Sequence, residues 1–187
     1  ERARIAAERS VETTNDVLHY SRRRELPRRG VDPVEVLREL RGLMERALDP
    51  NGRLELRVEP CPSVHVEVAQ LETSLLNLIV NAKDALGAEG VVIVRCRPRE
   101  LSEEEASSLG VLPGPHVVFS VADDGSGMSD EVQQKAFEPF FTTKPEGAGT
   151  GLGLSTVRAF VRKSGGVVTL RSTVGQGTTV EFLLPAH

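Results

Sequence analysis

The sequence predicts an α/β (α+β) two-layer sandwich, a mixed and mostly antiparallel sheet against about three helices, preceded by a helical segment. Three observations predict it. From residue 53 onward, stretches such as "RLELRVE" and "VVIVRCR" alternate apolar and polar residues, the period of half-buried strands. Between them, "QLETSLLNLIVNAKDAL" (70–86) carries a helical stripe of apolar residues, and "STVRAFVRKSGG" (155–166) also reads as a helix. Residues 1 to about 25 contain no Gly or Pro and are rich in Arg and Glu, a helical composition.

The elements follow in order. The first helix has only sparse apolar positions (Ile5, Val11, Leu18), so it needs a partner helix, and Pro27 and Gly30 end it. "VDPVEVLRELRGLMERAL" (31–48) opens with Asp32 as N-cap, Pro33 at the first helical position and Glu35 three after the cap. Val36, Leu40, Leu43 and Ala47 are its expected buried face. After the "DPNG" turn, "RLELRVE" and "SVHVEV" alternate as two strands. The long helix then aligns Leu71, Leu75, Leu78, Ala82 and Ala85. "VVIVRCR" (91–97) is a strand, Ser102 with Glu105 caps a small helix, and "HVVFSVAD" (116–123) is another strand. "GVVTLRST" and "TTVEFLLP" close the chain as a hairpin turning at "VGQG" (174–177). Two units are expected, residues 1–48 and 53–187.

Composition narrows the function classes. The chain has 187 residues, 27% charged and 39% hydrophobic, with a formal net charge of −4, which argues against nucleic acid as the main partner. No apolar run approaches the roughly 18 residues of a membrane span, and no secretory signal pattern is present. Cys61 and Cys96 have neither metal-ligand spacing nor disulfide-framework density, so a reducing cytoplasm is the expected setting. The chain opens inside a charged helical pattern, from which a piece of a longer protein is expected.

Four stretches could carry chemistry. On the long helix Asn77, Asn81 and Asp84 share one stripe, turned away from Leu75, Leu78 and Ala82. An amide oxygen there suits Mg²⁺ already bearing nucleotide phosphates, while a solvated polar face would give the same stripe. In "VVFSVADDGSGM" the apolar residues Val117, Phe119 and Val121 share a face with Asp123, at the lip of the core. A carboxylate so placed needs a donor such as the adenine amine, and Gly125 and Gly127 let the turn pass close to a flat ring; a plain Asp-Asp-Gly turn is the simpler alternative. "FEPFFTTK" (137–144) clusters three phenylalanines beside Thr142, Thr143 and Lys144, the base of a movable lid or a local hydrophobic staple. "GAGTGLGL" (147–154) sets glycine at every second position before a helix, so its amides can approach phosphate. It matches neither a Walker loop, which needs a Gly-Lys pair, nor the G-x-G-x-x-G fingerprint.

Their order is more telling than any one of them. Asn-x-x-x-Asn on a helix, Asp-x-Gly-x-Gly after a strand, a Phe-rich segment, Gly-x-Gly-x-Gly into a helix, then "GQGTT" closely resembles the N, G1, F, G2 and G3 boxes of the histidine-kinase catalytic domain, within the Bergerat-fold ATPase group. "NAKDAL" and "FEPFFTTK…GTGLGLS" look most like its nitrogen-sensor and hybrid-kinase branch. The resemblance covers roughly residues 53 to 185.

The resemblance implies the following roles. Asn81 ligates Mg²⁺ and Asn77 supports the same site; Asp123 reads the adenine amine; Gly125, Gly127 and Met128 shape the floor, with Thr178 at the same end of the base. Gly149, Thr150, Gly151, Leu152 and Gly153 hold phosphates, and Phe141, Thr143 and Lys144 belong to the lid, Lys144 contacting the γ-phosphate. Asn77 and Lys144 are the residues expected to act in the chemistry. Many relatives carry a base three after the Mg²⁺-binding Asn and then an aromatic; here Asp84 and Ala85 stand there, which moves neutralisation of phosphate charge to Lys83 or Lys144. "DVLHYSRRRELPRRGVDPVEVLREL" is similar to the second helix of a dimerisation and phosphoacceptor hairpin with its linker. None of the four histidines precedes Asp or Glu, so the acceptor is expected outside this chain, and His19 reads as a packing or surface residue.

The implied function is transfer of the γ-phosphoryl of Mg²⁺-ATP to a histidine, for relay to a response-regulator receiver domain, within a homodimer that supplies the phosphoacceptor helix. A hydrolysing relative needs a glutamate one turn before the metal-binding Asn; position 77 is Asn, position 73 is Thr, and Glu72 points about 100° away. A nucleotide-binding pseudokinase or interaction module and an anti-sigma-type serine kinase are the alternatives.

Overall fold

The computed structural model describes residues 27–50, 52–87, 89–145 and 148–187. The helix expected over 1 to about 25, His19 within it, and Gly147 lie outside them.

One five-stranded sheet organises the chain: β2 (Gly52–Val58), β4 (Gly90–Leu101), β5 (Gly114–Asp123), β6 (Val167–Thr173) and β7 (Gly177–Pro185), in the order β2-β4-β5-β7-β6. Only the β2–β4 pair is parallel; the others are antiparallel, and β6 and β7 form the expected hairpin. β4 runs past Pro98, beyond the predicted end at residue 97. Its partner β2 stops at Val58 opposite Cys96, so Pro98 sits where β4 has become an edge and no ladder bond is lost.

Alternation on β5 and β7 divides the two faces. Val117, Phe119 and Val121 with Val180, Phe182 and Leu184 face the main core, where the Phe119 and Phe182 rings stack at 4.9 Å. Helices α2 (Val68–Ala85) and α5 (Gly153–Lys163) cover this face through Leu71, Leu75, Leu78, Ile79, Val157 and Val161. On the opposite face, α3 (Glu103–Leu109) closes a smaller cluster of Leu101, Ala106, Val118 and Leu183, and the Ser102–Glu105 capping box forms as expected. α4 (Asp130–Lys135) is a fourth helix after residue 53, one more than the sequence shows. Among the described residues no helix is long and apolar enough to cross a membrane.

Two local expectations need correction. Residues 29–31, read as the end of a helix, form β1 (Arg29–Val31), antiparallel to β3 (Val64–Val66). Helix α1 (Pro33–Leu48) is capped by Asp32, whose Oδ1 accepts from Val34 N at 2.8 Å. Its buried face is Val34, Val36, Leu37, Leu40, Met44 and Leu48, so Val36 and Leu40 are buried as expected, whereas Leu43 is 41% exposed. The two candidate stripes share Val36 and Leu40 and differ by a rotation of the helix. Packing against α2 and β2 selects the one carrying Leu37, Met44 and Leu48, all fully buried. Through them α1 shares the main core with residues 53–187.

Candidate nucleotide site

The regular elements deliver the candidate residues to one end of the sheet. On α2, Asn77 and Asn81 are half-buried and Asp84 is exposed. The stripe borders the apolar side rather than opposing it, because Asn81 lines a narrow cavity with Leu78, Ala82 and Ala85. Gly153, the first residue of α5, lies against both asparagines: a Cβ there would stand 3.5 Å from Asn81 Nδ2 and 3.9 Å from Asn77 Cβ. The first amides of α5 therefore open beside the asparagine pair without intrahelical acceptors.

Asp123 ends β5 on the core-facing side. Its Oδ1 accepts from Gly125 N at 2.9 Å and Thr178 N at 3.2 Å. Burial nevertheless pushes its carboxyl above the usual range, those two bonds opposing the shift only in part. The donors demanded by a half-buried carboxylate are thus supplied by backbone to Oδ1, and Oδ2 has no hydrogen-bond partner among the described residues. The close approach that Gly125 and Gly127 permit is to protein. A Cβ at Gly125 would come within 2.4 Å of Ala85 O, and one at Gly127 (φ +66°) within 2.0 Å of Thr173 O. The turn is wedged between the end of α2 and the β6–β7 hairpin, with Ser126 N donating to Ala85 O at 2.9 Å.

Two residues that the sequence reading missed hold the far wall. Ser172 Oγ accepts from Met128 N at 2.8 Å and lies 2.8 Å from Oγ1 of buried Thr178. The Gln133 side chain, from α4, pairs with β6 like a short piece of strand. Its Oε1 accepts from Ser172 N at 3.2 Å, and its Nε2 donates to Ser172 O at 3.1 Å and Met128 O at 3.2 Å. Polar residues at regular strand and helix positions gave no sequence signal; the Ser129 cap of α4, four residues before Gln133, was the legible hint.

Asn81, Asp123, Met128 and Thr178 line the cavity together with Leu154 and Val180. Its volume is about 30 Å³, room for one or two waters, so a purine enters only if side chains such as Met128 and Leu154 part.

At the rim, Lys144 Nζ forms an ion pair with Asp84 Oδ2. Phe140 N donates to Gly151 O at 3.0 Å, closing the base of the intervening loop, and both residues adopt positive φ (67° each). A Cβ at Gly151 would meet the Phe140 carbonyl carbon at 2.3 Å, and one at Gly149 would meet Lys144 Cδ at 2.9 Å. Thr150 Oγ1 accepts from Leu152 N at 3.4 Å. The phenylalanine cluster is a weaker anchor than expected: Phe140 is 72% exposed, and Phe137 is half-buried with the Arg158 guanidinium 5.7 Å from its ring centre. Phe141 and Thr143 do not line the cavity, and neither does Lys83, one step round α2 from the stripe.

The family model described as histidine kinase-, DNA gyrase B-, and HSP90-like ATPase matches residues 66–187. The chain belongs to that family. Among curated relatives, the sensor kinase CckA of Brucella abortus is 37% identical over 183 residues, and the sensor histidine kinase ZraS of Klebsiella oxytoca is 32% identical over 183. These alignments cover 96% and 97% of this chain but only 19% and 36% of the relatives, so the chain spans a minor part of their length. Among solved structures, full-length ShkA in complex with AMPPNP superposes with a TM-score of 0.77 at 28% identity, over 98% of this chain and 37% of that one. The mycobacterial sensor histidine kinase MprB gives 0.69 at 25% identity, over 86% of this chain and 98% of that one. With its five-stranded sheet and covering helices, the chain carries the ATP-binding catalytic domain of a sensor kinase.

Proposed function

We propose that this domain binds Mg²⁺-ATP and transfers its γ-phosphoryl to a histidine nitrogen on a phosphoacceptor helix, from which an aspartate of a response-regulator receiver domain takes it. The observation that carries the reading is the convergence of Asn81, Asp123, Met128 and Thr178 on one cavity, with the start of α5 against the asparagine pair.

Each group has a task fitted to its chemistry. The open Oδ2 of Asp123 accepts from the exocyclic amine of adenine, while Oδ1 stays on its two amides. Ala82, Ala85, Val121 and Met128 enclose the ring, and Thr178, fixed by Ser172, closes its polar end. The α5 amides and the backbone of 149–153 hold phosphate oxygens. The Asn81 amide fits Mg²⁺ as a neutral oxygen ligand that leaves the remaining positions to phosphate and water, with Asn77 beside it. The ion neutralises charge on the phosphates. Lys144 adds a cation from the rim, so the chain contributes positioning and charge neutralisation rather than a nucleophile or base. In the same reading, residues 1–48 are the end of a dimerisation hairpin with its linker helix, that helix packed into the core of the ATP-binding unit, residues 53–187, and the assembly is a cytoplasmic homodimer.

Calorimetric titration of ATP with and without Mg²⁺, beside Asn81→Ala, tests the binding half. Binding should require Mg²⁺ and fail in the variant; a wild-type chain that binds no nucleotide overturns the reading in favour of an interaction module. Incubation with γ-labelled ATP tests the transfer half. The chain alone should acquire no acid-labile label, and an added dimerisation hairpin carrying a His followed by Asp or Glu should. Acid-stable label on serine would point to the serine-kinase alternative instead.

A further inference from the structure

Asp84 stands three residues after Asn81, at the head of the polar stripe on α2, and makes that position acidic beside a site proposed to hold phosphates. Its carboxylate is engaged by Lys144, which lies sixty residues later in sequence. Both side chains are partly exposed, 41% and 31%, and an ion pair of that kind contributes little to stability. What distinguishes this one is where it holds the ammonium.

Contacts within the loop set where Lys144 stands. Its backbone N donates to Thr142 Oγ1 at 3.1 Å. The chain at Gly149 lies against its aliphatic stem, where a Cβ at 149 would stand 2.9 Å from Lys144 Cδ and 3.4 Å from its Cβ. The loop is closed beneath it by the Phe140–Gly151 bond. Asp84 supplies the last constraint, drawing Nζ onto the same helix face as Asn77 and Asn81.

We infer that Asp84 is a positioning residue: it docks the loop against α2 so that Lys144, rather than a base on the helix itself, delivers the phosphate-neutralising cation next to Asn81. The inference rests on the nucleotide reading above. It assigns Asp84 no contact with nucleotide; the carboxylate acts through Lys144. A carboxylate facing phosphates unaided would repel them, so the arrangement works only as a pair.

The test is a double-mutant cycle read with two probes, Mg²⁺-ATP and Mg²⁺-ADP, by calorimetry on the intact chain. Lys144→Met should weaken ATP at least tenfold and ADP much less. Asp84→Asn should weaken ATP about two- to fivefold, the range of an exposed ion pair, leave ADP unchanged, and have no effect in the Lys144→Met background. The swap Asp84→Lys with Lys144→Asp should regain part of the preference for ATP, because an ammonium again lies beside Asn81. Circular dichroism checks that each variant folds. Asp84→Asn binding ATP as well as or better than wild type overturns the inference, since the carboxylate would then be competing with phosphate for Lys144. Equal losses with ATP and ADP, or the same loss in the Lys144→Met background, also overturn it. Absence of ATP binding by the wild type is a different outcome, and it removes the nucleotide reading itself.

Discussion

Asp123→Asn separates binding from folding in a way few substitutions at this site can. The two backbone amides bonded to Asp123 both use Oδ1, and asparagine keeps an oxygen there, so Gly125 N and Thr178 N stay satisfied. Burial opposes the charge, so its removal near pH 7 should leave stability unchanged or slightly improved. Oδ2, however, becomes an NH₂ group, and the acceptor proposed for the adenine amine becomes a donor. A hydrogen bond to a charged group contributes about 1.5–3 kcal/mol, so ATP affinity should fall about 10- to 150-fold by calorimetry. GTP, with a carbonyl where ATP has the amine, should lose less or gain. The pH dependence supplies a second readout. The folded pKa of Asp123 lies above its unfolded value, so this group contributes stability fully present below the unfolded pKa and lost as pH rises through the folded one. Adenine recognition by the proposed contact should run oppositely, since it needs the carboxylate and is lost as pH falls through that raised pKa; Asp123→Asn should show neither step. An Asp123→Asn chain that binds ATP within twofold of wild type, or loses affinity only in proportion to stability, would refute the assignment.

Other predictions follow from the same geometry. Gln133→Ala removes the bonds to Ser172 and Met128 and should cost about 1–2 kcal/mol in urea unfolding, with weaker ATP binding through the displaced Met128 wall. Leu37→Ala should cost about 2–5 kcal/mol, whereas Leu43→Ser should stay within about 0.5 kcal/mol; the reverse would mean that α1 packs on its other stripe. Burial raises the pKa of both cysteine thiols, whose sulfurs lie 3.6 Å apart. Iodoacetamide followed by mass spectrometry should therefore label Cys61 more slowly than free cysteine and Cys96 only on unfolding.

What could be read from the sequence was set by how far each feature depends on its own neighbours. Helix α2, strand β5 and the terminal hairpin carry enough local period to declare themselves, and the Ser102 box closes within one turn. β1 is three residues long and exists by pairing with β3, so nothing in "RGV" announces it. The face of α1 was ambiguous because Leu43 and Met44 are adjacent and both apolar, and the α2 surface makes the choice. The site divides in the same way. Asn81, Asp123 and Thr178 stand at fixed offsets in recognisable strings, whereas Gln133 and Ser172 matter through bonds between residues 39 apart in sequence. Lys144 and Asp84 were each visible as charges, but their pairing crosses half the domain.

The two sides of the cavity are built with unequal security, and this has a measurable consequence. On the sheet side, Gly125 N, Met128 N, Ser172 N and Thr178 N donate to partly buried side-chain acceptors that are themselves tied to β5, β6 or α4. On the rim side, Lys144 N donates to an exposed threonine hydroxyl, and the loop is tied across the cavity by an exposed ion pair. Opening the sheet side breaks several part-buried bonds together, while opening the rim breaks one exposed contact at a time. Amide exchange should accordingly be slow at Thr178 and Ser172 and fast at Lys144 and Ala148, and Mg²⁺-ATP should slow the second pair far more than the first. Equal protection on both sides before nucleotide is added would contradict this account, because the cation at the rim would then be as fixed as the Asp123 carboxylate.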